Sequence, residues 1–410
     1  MNAAPRESIF DAITRFNADR DPDLVKLKLK RLDENVFCFF RGTDELFGKA
    51  WKDLRPRDPG PPILCTGDLH LENFGACQSQ EGDFRFEIND FDEAVIAPCS
   101  FDLIRCTASI LLAGEVWDLR PLEATGIALA FLDKYQRAVI DAVDSGVVGE
   151  ISPRSGEGPI WDLLNATTQG TETALLDRET SKKKDGSREI IRSAKKHPEI
   201  SLKRQEHVRK AVEAYGREKG KPDAYQVLDV TGRIAGIGSL GLRRCTVLIE
   251  GGGSSDSNRL LDVKEARNST VAADVAISQP RFPTEADRIV AAQRQLQSKQ
   301  ALGLGSLRIG SRSYRVREMI PDENQSSLDR LHEKSKTLRL AVEVVGQLVG
   351  WSQVRGANRP GGNDSDERQA LAEWAKGPGI EAVLAAAVRF ADRTQADYAE
   401  YHQTYATKKK

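Results

Sequence analysis

Within the stretch "CTGDLHLENFG" (residues 65–75), Asp68, His70, Glu72 and Asn73 fall in six positions, and Asp90 follows in "INDFDEA". A side-chain amide oxygen and a carboxylate brought together by a loop offer the hard oxygen ligands that Mg²⁺ takes. Asn73 and Asp90 are therefore the candidate metal ligands. The other carboxylate, Asp68, is left to accept a proton from a substrate hydroxyl. An Asp, an Asn five residues later and then a strand-borne Asp form an arrangement suited to phosphoryl transfer. Taken alone, the first stretch also fits polar loop packing; the second stretch beside it strengthens the chemical reading.

Such chemistry needs a loop to cover phosphates and a lysine to pair with them. Gly236, Gly238 and Gly241 form a G-x-G-x-x-G in "GIGSLG", with Ser239 inside it. By itself this pattern also matches a dinucleotide fingerprint. A dinucleotide fingerprint opens a helix, however, and these glycines run into the β-rich "RRCTVLIE". The next predicted strand, "RLLDVKEA", carries Lys264 where a kinase-type lysine meets nucleotide phosphates. ATP with Mg²⁺ is the expected ligand pair, and ordinary tight turns are the alternative for the glycines.

The order is unusual, because in ordinary kinases the glycine loop and lysine precede the catalytic loop, and here they follow it. A circular permutation reconciles the two, with the cut just before the catalytic loop and the original termini joined through a basic segment. The expected fold is α+β: a protein-kinase-like, two-lobed, circularly permuted fold with a β-rich small lobe inserted after the catalytic-loop segment. Residues 1–224 would hold the catalytic loop and large-lobe helices, 225–325 the nucleotide-binding small lobe, and 326–410 helices returning to the large lobe.

The elements that must position these residues follow from periodicity. Residues 6–52 read as largely helical. "PILCTGD" and "FRFEINDF" read as short strands flanking the first loop. Apolar spacing predicts a helix from residue 101 and an amphipathic one ending near Gly146. Residues 178–222 carry 15 Lys/Arg against 7 Asp/Glu, a solvated helical surface with a disordered "SKKKDGS" bend or an anion-facing surface. Three β-like runs span 227–266, and Thr284 is the expected N-cap of the next helix. Two further strands lie in "LRIGSRSYRVREMI", and the remainder is helical, with a Gly/Asn loop before Glu367.

Bulk composition narrows the partners. The 410 residues have a formal net charge of −1, which argues against nucleic acid as an obligatory partner. No apolar run approaches the ~20 residues of a membrane span, and no signal-peptide core opens the chain. Six scattered cysteines without a C-x-x-C pair read as free thiols of a cytoplasmic protein.

The motifs "FFRG", "GDLHLENFG", "INDFDEA", "FDLIRCTAS", "GRIAGIGSLG", "DVKEA", "AAQRQLQ" and "YRVRE" resemble the bacterial domain-of-unknown-function family 2252, whose members look similar to kinases and aminoglycoside phosphotransferases. The resemblance implies a nucleotide-binding phosphotransferase-like fold. By motif it gives Asp68 the role of catalytic base, Asn73 and Asp90 that of metal ligands, and Lys264 that of the phosphate-pairing lysine. Two departures stand out. Ala291 and Ala292 replace a Glu-Gly pair, which leaves Glu285 and Asp287 as weak substitutes for the lysine's ion-pair partner. "GWSQVRGA" replaces a helix end that carries a histidine.

The neighbouring residues have competing readings. His70 steers the loop or packs it. Arg41 faces the site or forms a structural salt bridge. Asp102 and Arg105 read as a surface or loop-anchoring pair, and Asp92 and Glu93 as a further metal ligand or turn caps. "GDLH" also opens binuclear metallophosphoesterases, but these need further histidines in settings this chain lacks. The expected function is an ATP- and Mg²⁺-dependent phosphotransferase acting on a hydroxyl or amine of a small molecule or protein. A nucleotide-binding pseudokinase scaffold and a nucleotidyl (AMP) transferase are the alternatives.

Overall fold

The structure, a computed structural model, describes residues 7–321, 328–358 and 364–408. The domain boundary expected near 325 and the Gly/Asn loop at 359–363 fall outside the described residues. The architecture is mixed α+β. Four helices open it where their apolar spacing predicts: α1 (Ile9–Phe16), α2 (Pro22–Leu32), α3 (Val36–Arg41) and α4 (Asp44–Leu54). Ser8, Asp21 and Asn35 cap the first three by accepting from main-chain amides, satisfying donors that a helix start leaves open.

Strands β1 (Pro62–Cys65), β2 (Phe74–Gln78), β3 (Phe84–Ile88) and β4 (Val95–Pro98) make two antiparallel ladders, β1 with β4 and β2 with β3. They are shorter than the sequence suggests. β3 ends at Ile88, so Asp90 belongs to the following loop and is not strand-borne. The pairing runs one hydrogen bond past the strand, Asn89 N donating to Asn73 O at 2.8 Å, and Asp90 lies beyond it in the loop.

Helix α5 (Ser100–Val116) runs through the centre, and α6 (Pro121–Ser145) ends at Gly146, whose φ is 70°. The long α11 (Ser335–Gly356) packs along α6, and α13 (Gly379–Lys408) along α5, with α12 (Asp364–Lys376) beside them. These helices enclose the largest apolar core.

Between α6 and α11, α7 (Pro159–Thr168) and α8 (Glu172–Glu179) lead into a hairpin, β5 (Thr180–Lys182) with β6 (Arg188–Ile190), and then α9 (Leu202–Glu218). The expected disordered bend is thus an ordered hairpin turn, in which Asp185 accepts from the amide and hydroxyl of Ser187. Several of the basic side chains are paired internally: Arg188 with Asp177 and Asp256, Arg192 with Glu199 and Asp229, and Lys196 with Glu179.

A five-stranded antiparallel sheet follows: β7 (Val227–Gly232), β8 (Arg244–Ile249), β9 (Arg259–Glu265), β10 (Gly305–Ile309) and β11 (Arg312–Glu318), in the order β10-β11-β9-β8-β7. Helix α10 (Glu285–Leu296) connects β9 to β10, and Thr284 caps it by accepting from Asp287 N. One sheet face carries Val247, Leu261, Val263 and Val316, sealed by Val208, Val212 and Tyr215 of α9. Helix α9, grouped from sequence with the catalytic-loop half, therefore packs on this sheet. All six cysteines are free, and no helix among the described residues is long and apolar enough to cross a membrane.

Candidate functional site

The fold brings Asp68, Asn73, Asp90, Gly236, Gly238, Ser239 and Lys264 to the lining of one cleft of about 220 Å³, whereas Gly241, also expected at the site, is not among its lining residues. One wall is the pair of loops that follow β1 and β3. Its tightest point is Gly67, at φ 83°, where any Cβ would stand 2.0 Å from the carbonyl oxygen of Glu93. Only glycine lets the loops approach so closely.

Helix α5 anchors this wall from below. Asp102, 2% exposed, accepts from Thr66 N (2.7 Å), Thr66 Oγ1 (3.0 Å) and Gly67 N (2.9 Å). Arg105, fully buried, donates through Nε to Asp68 Oδ1 at 2.5 Å and through Nη2 to Phe40 O at 3.2 Å. Its guanidinium lies over the Phe40 ring, 4.3 Å from the centroid. The two residues anchor the loop, as one sequence reading has it, but they do so from the interior and not from the surface.

Asp68 keeps 22% of its side chain exposed to the cleft. Burial raises its carboxyl to about 7 against the pull of Arg105, with Asp44 adding to the rise. A carboxylate poised near neutrality suits a general base. Asn73 donates from Nδ2 to Asp68 O at 2.5 Å, which leaves Oδ1 as the acceptor atom of that amide. His70 Nδ1 accepts from Glu72 N at 3.2 Å, so it caps the 3₁₀ turn Leu71–Asn73. Burial, with Arg41 and Arg105 nearby, holds its pKa well down and keeps it neutral. Arg41 does both things read for it: it lines the cleft and pairs with Glu72 at 3.9 Å.

Near this wall stand further carboxyls: Asp44 and Glu45, which the sequence reading passed over, and Glu93, which it read as a further metal ligand or a turn cap. Thr270 donates to Glu93 Oε2 from its amide (2.5 Å) and its hydroxyl (2.9 Å), and the hydroxyl also meets Asp44 Oδ2. Burial, with Asp44 beside it, raises Glu93 to about 8. Glu45 is 3% exposed, and neither of its carboxyl oxygens has a hydrogen-bond partner. Burial and Asp44 push it up to about 7.

The opposite wall is the sheet. Lys264 on β9 reaches Asp90 Oδ2 at 3.3 Å, across 174 residues of sequence, and also contacts Asp92 Oδ2. Its partners are thus Asp90 and Asp92. Glu285 pairs instead with Arg288, and Asp287 accepts from Ser306 Oγ at 2.6 Å. Burial opposes the charge on Asp90, but Lys264 and Arg315 outweigh it and hold this carboxylate well below its usual range.

The glycine loop connects β7 to β8, and Gly236 and Gly241 take φ of 74° and 89°, which favours glycine. The N-terminal helices clamp it. Gly238 O accepts from Arg20 Nη1 (2.6 Å) and Lys28 Nζ (3.1 Å), and Gly236 O from Arg31 Nη1 (3.2 Å). Gly241 itself bonds through its carbonyl to Asp21 N at 3.0 Å. Sequence reading missed this clamp. Its one signal was Lys28, which lies four residues before Leu32 on the buried stripe of α2.

No three His, Cys, Asp or Glu side chains among the described residues form a metal cage. Asn73 Oδ1 and the ionised Asp90 are hard oxygen donors, and two such donors fit Mg²⁺, which commonly keeps waters and binds through substrate phosphates. They would be its protein ligands. No curated protein and no solved structure matches the chain. The model of a family described as uncharacterized proteins conserved in bacteria, DUF2252, matches residues 20–404, and the chain belongs to that family.

Proposed function

We propose that the chain is an ATP- and Mg²⁺-dependent phosphotransferase of kinase-like, two-lobed and circularly permuted fold, acting on a hydroxyl or amine acceptor. One observation carries the reading: Lys264 meets Asp90 across 174 residues, beneath a glycine loop and beside Asp68. A glycine loop between the first and second strands, a lysine on the third and a helix before the fourth are the nucleotide-holding parts of a kinase. Here they come from β7, β8, β9 and α10, and the loop with Asp68 and Asn73 precedes them in sequence.

In this reading Asp68, held in place by Arg105, takes the proton of the acceptor hydroxyl as its oxygen bonds to the transferred phosphorus, and the nucleoside diphosphate leaves. Lys264 and the glycine loop hold the phosphates, and Asn73 and Asp90 would hold Mg²⁺, which neutralises phosphate charge. Most of the catalysis would come from such positioning. A pseudokinase reading draws on a different observation, that the acidic side chains Glu285 and Asp287 of α10 bond elsewhere than to Lys264.

The test uses the full chain. Millimolar Mg-ATP is expected to raise the melting temperature, because a ligand of the folded state stabilises it, and γ-labelled ATP is expected to transfer label to an acceptor or to water. Absence of any thermal shift, with Mg²⁺ or Mn²⁺, would sink the proposal. A shift without label transfer to any acceptor would favour the pseudokinase.

A further inference from the structure

Every carbonyl of the glycine loop, residues 236–241, has a donor. Gly236 O accepts from Arg31 Nη1, Gly238 O from Arg20 Nη1 and Lys28 Nζ, Leu240 O from Arg20 Nη1 at 3.1 Å, and Gly241 O from Asp21 N. All of these donors belong to α2 or to the two residues that precede it. Within the loop, Ile237 O accepts from Leu240 N (3.2 Å) and Ser239 O from Leu242 N (3.1 Å).

The amides show the reverse. No main-chain N–H of residues 236–239 finds an acceptor among the described residues. A trans peptide points its N–H away from its own C=O, and the loop contains no cis bond. Because α2 draws Gly236 O and Gly238 O to itself, the N–H groups of Ile237 and Ser239 turn away from that helix. Both residues line the cleft, and successive amides aimed into a concavity bind anions.

The third glycine of the motif serves the docking. Gly241 lies outside the cleft lining, and a Cβ there would stand 2.7 Å from Arg20 Cβ and 3.3 Å from Val25 Cγ2, with φ at 89°. Glycine at this point lets the loop close onto the start of α2. On the helix side, Lys28 and Asn17 are fully buried, and Lys28 Nζ donates to Asn17 Oδ1 at 3.2 Å, which ties in the end of α1. Burial, with Arg20 nearby, lowers Lys28 to about 8. A buried ammonium is costly where an apolar side chain would fill the same stripe, so packing alone does not account for it.

We infer that α1 and α2 pre-set the glycine loop as a donor-only cradle for phosphate oxygens, with Ile237 N and Ser239 N as the donors and Lys28 and Arg31 as positioning residues. Lys28 and Arg31 stand outside the cleft lining, so their effect on a ligand passes through the loop carbonyls they hold. The inference rests on the phosphotransferase reading and assigns parts of its phosphate site.

The experiment joins calorimetry to amide hydrogen exchange on the full chain with Mg-ATP. In wild type, saturating Mg-ATP is expected to slow exchange at Ile237 and Ser239 by about tenfold or more. Lys28→Met is expected to weaken Mg-ATP by about tenfold, on the order of one net hydrogen bond, and to lose that slowing. Exchange elsewhere in the unliganded variant is expected to match wild type. Arg31→Gln is expected to weaken binding by about threefold. Wild-type binding without slowed exchange at the two amides, or wild-type affinity in both variants, overturns the inference and leaves the phosphotransferase reading intact. Faster exchange throughout unliganded Lys28→Met would make that residue merely structural and overturn its assignment. Failure of wild type to bind overturns both readings. The wild-type exchange and Arg31→Gln decide the matter even if Lys28→Met does not fold.

Discussion

On the loop wall of the cleft, burial pushes Asp68 up to about 7 and Glu93 to about 8, and Glu45 behind them to about 7. Across the gap, burial acts on Asp90 and Asp262 in the same direction, yet both are held well below the usual carboxylate range, Asp90 by Lys264 and Arg315, Asp262 by Arg244 and its neighbours. The carboxyl chemistry is the same on both walls, and burial acts in the same direction on each. The difference is the balance of charges: the sheet presents arginines in register around Asp262 and Asp90, whereas on the loop side Asp44, Glu45, Asp68 and Glu93 crowd together and raise one another. Environments that drive like groups apart in pKa separate those that exchange protons from those that hold charge. By that rule, under the proposed phosphotransferase reading, the loop wall would handle the proton and the sheet wall would hold the phosphates.

The largest effect that would test this division is on Asp68. Asp68→Asn is expected to lower turnover by ~10²–10⁴-fold and to leave Mg-ATP affinity unchanged. Labelled-phosphate transfer and calorimetry on the same preparation read the two quantities. Asparagine imitates the neutral carboxyl that prevails below pH 7, so a melting curve at pH 6 is expected to match wild type. Loss of affinity equal to the loss of rate would break the division.

On the sheet wall, Lys264→Met removes the cation between Asp90 and Asp92 and leaves two carboxylates facing the phosphates. Mg-ATP affinity is expected to fall by about 10- to 100-fold, equivalent to roughly 1.4–2.8 kcal/mol. Glu285→Gln serves as the contrast, because Glu285 bonds to Arg288, and its affinity is expected to stay at the wild-type value. Equal losses in the two variants would mean that Lys264 takes its partner from α10 and not from the loop.

The smallest effect is on stability. Glu45 has a folded pKa of about 7, above the ~4.3 of an unfolded glutamate. A raised folded pKa gives stability that is fully present below the unfolded value and is lost as pH rises through the folded one. Glu45→Gln removes that loss. Urea unfolding is expected to show a gain of about 1–2 kcal/mol at pH 8 and little change at pH 4. A variant no more stable than wild type at pH 8 would mean that the loop wall does not penalise this charge.

Much of the local structure was legible in the sequence, because the signals for it are local. The end of α6 at Gly146, the N-cap at Thr284 and the three strands from Val227 to Glu265 follow from residues within a turn or two of each boundary. The loop residues Asp68 and Asn73 and the glycines 236, 238 and 241 were visible by spacing alone. Boundaries differed where the chain leaves its partner strand, as at β3, whose pairing with β2 ends one hydrogen bond past Ile88 and leaves Asp90 in the loop. The "SKKKDGS" segment read as disordered on composition, yet Ser187 bonds to Asp185 and its two arms pair as a hairpin.

By itself, then, the sequence determined most of the element types, the candidate residues of the cleft and the motifs of one family. The tertiary structure alone decided their partners. Alternation puts Arg244, Asp262, Lys264 and Arg315 on common strand faces, but only packing decides that α9 covers the opposite face, that Leu175 and Leu176 cover Leu248 and Leu260, and that Arg244, Lys264 and Arg315 border the cleft. Lys264 meets Asp90 from 174 residues away, and Lys28 meets Gly238 from 210. Arg105 turns inward to Asp68 because Phe40 offers both a carbonyl and a ring face beside that loop. Contacts of this span leave no periodicity in the chain, since each depends on where whole helices and sheets settle to bury their apolar faces.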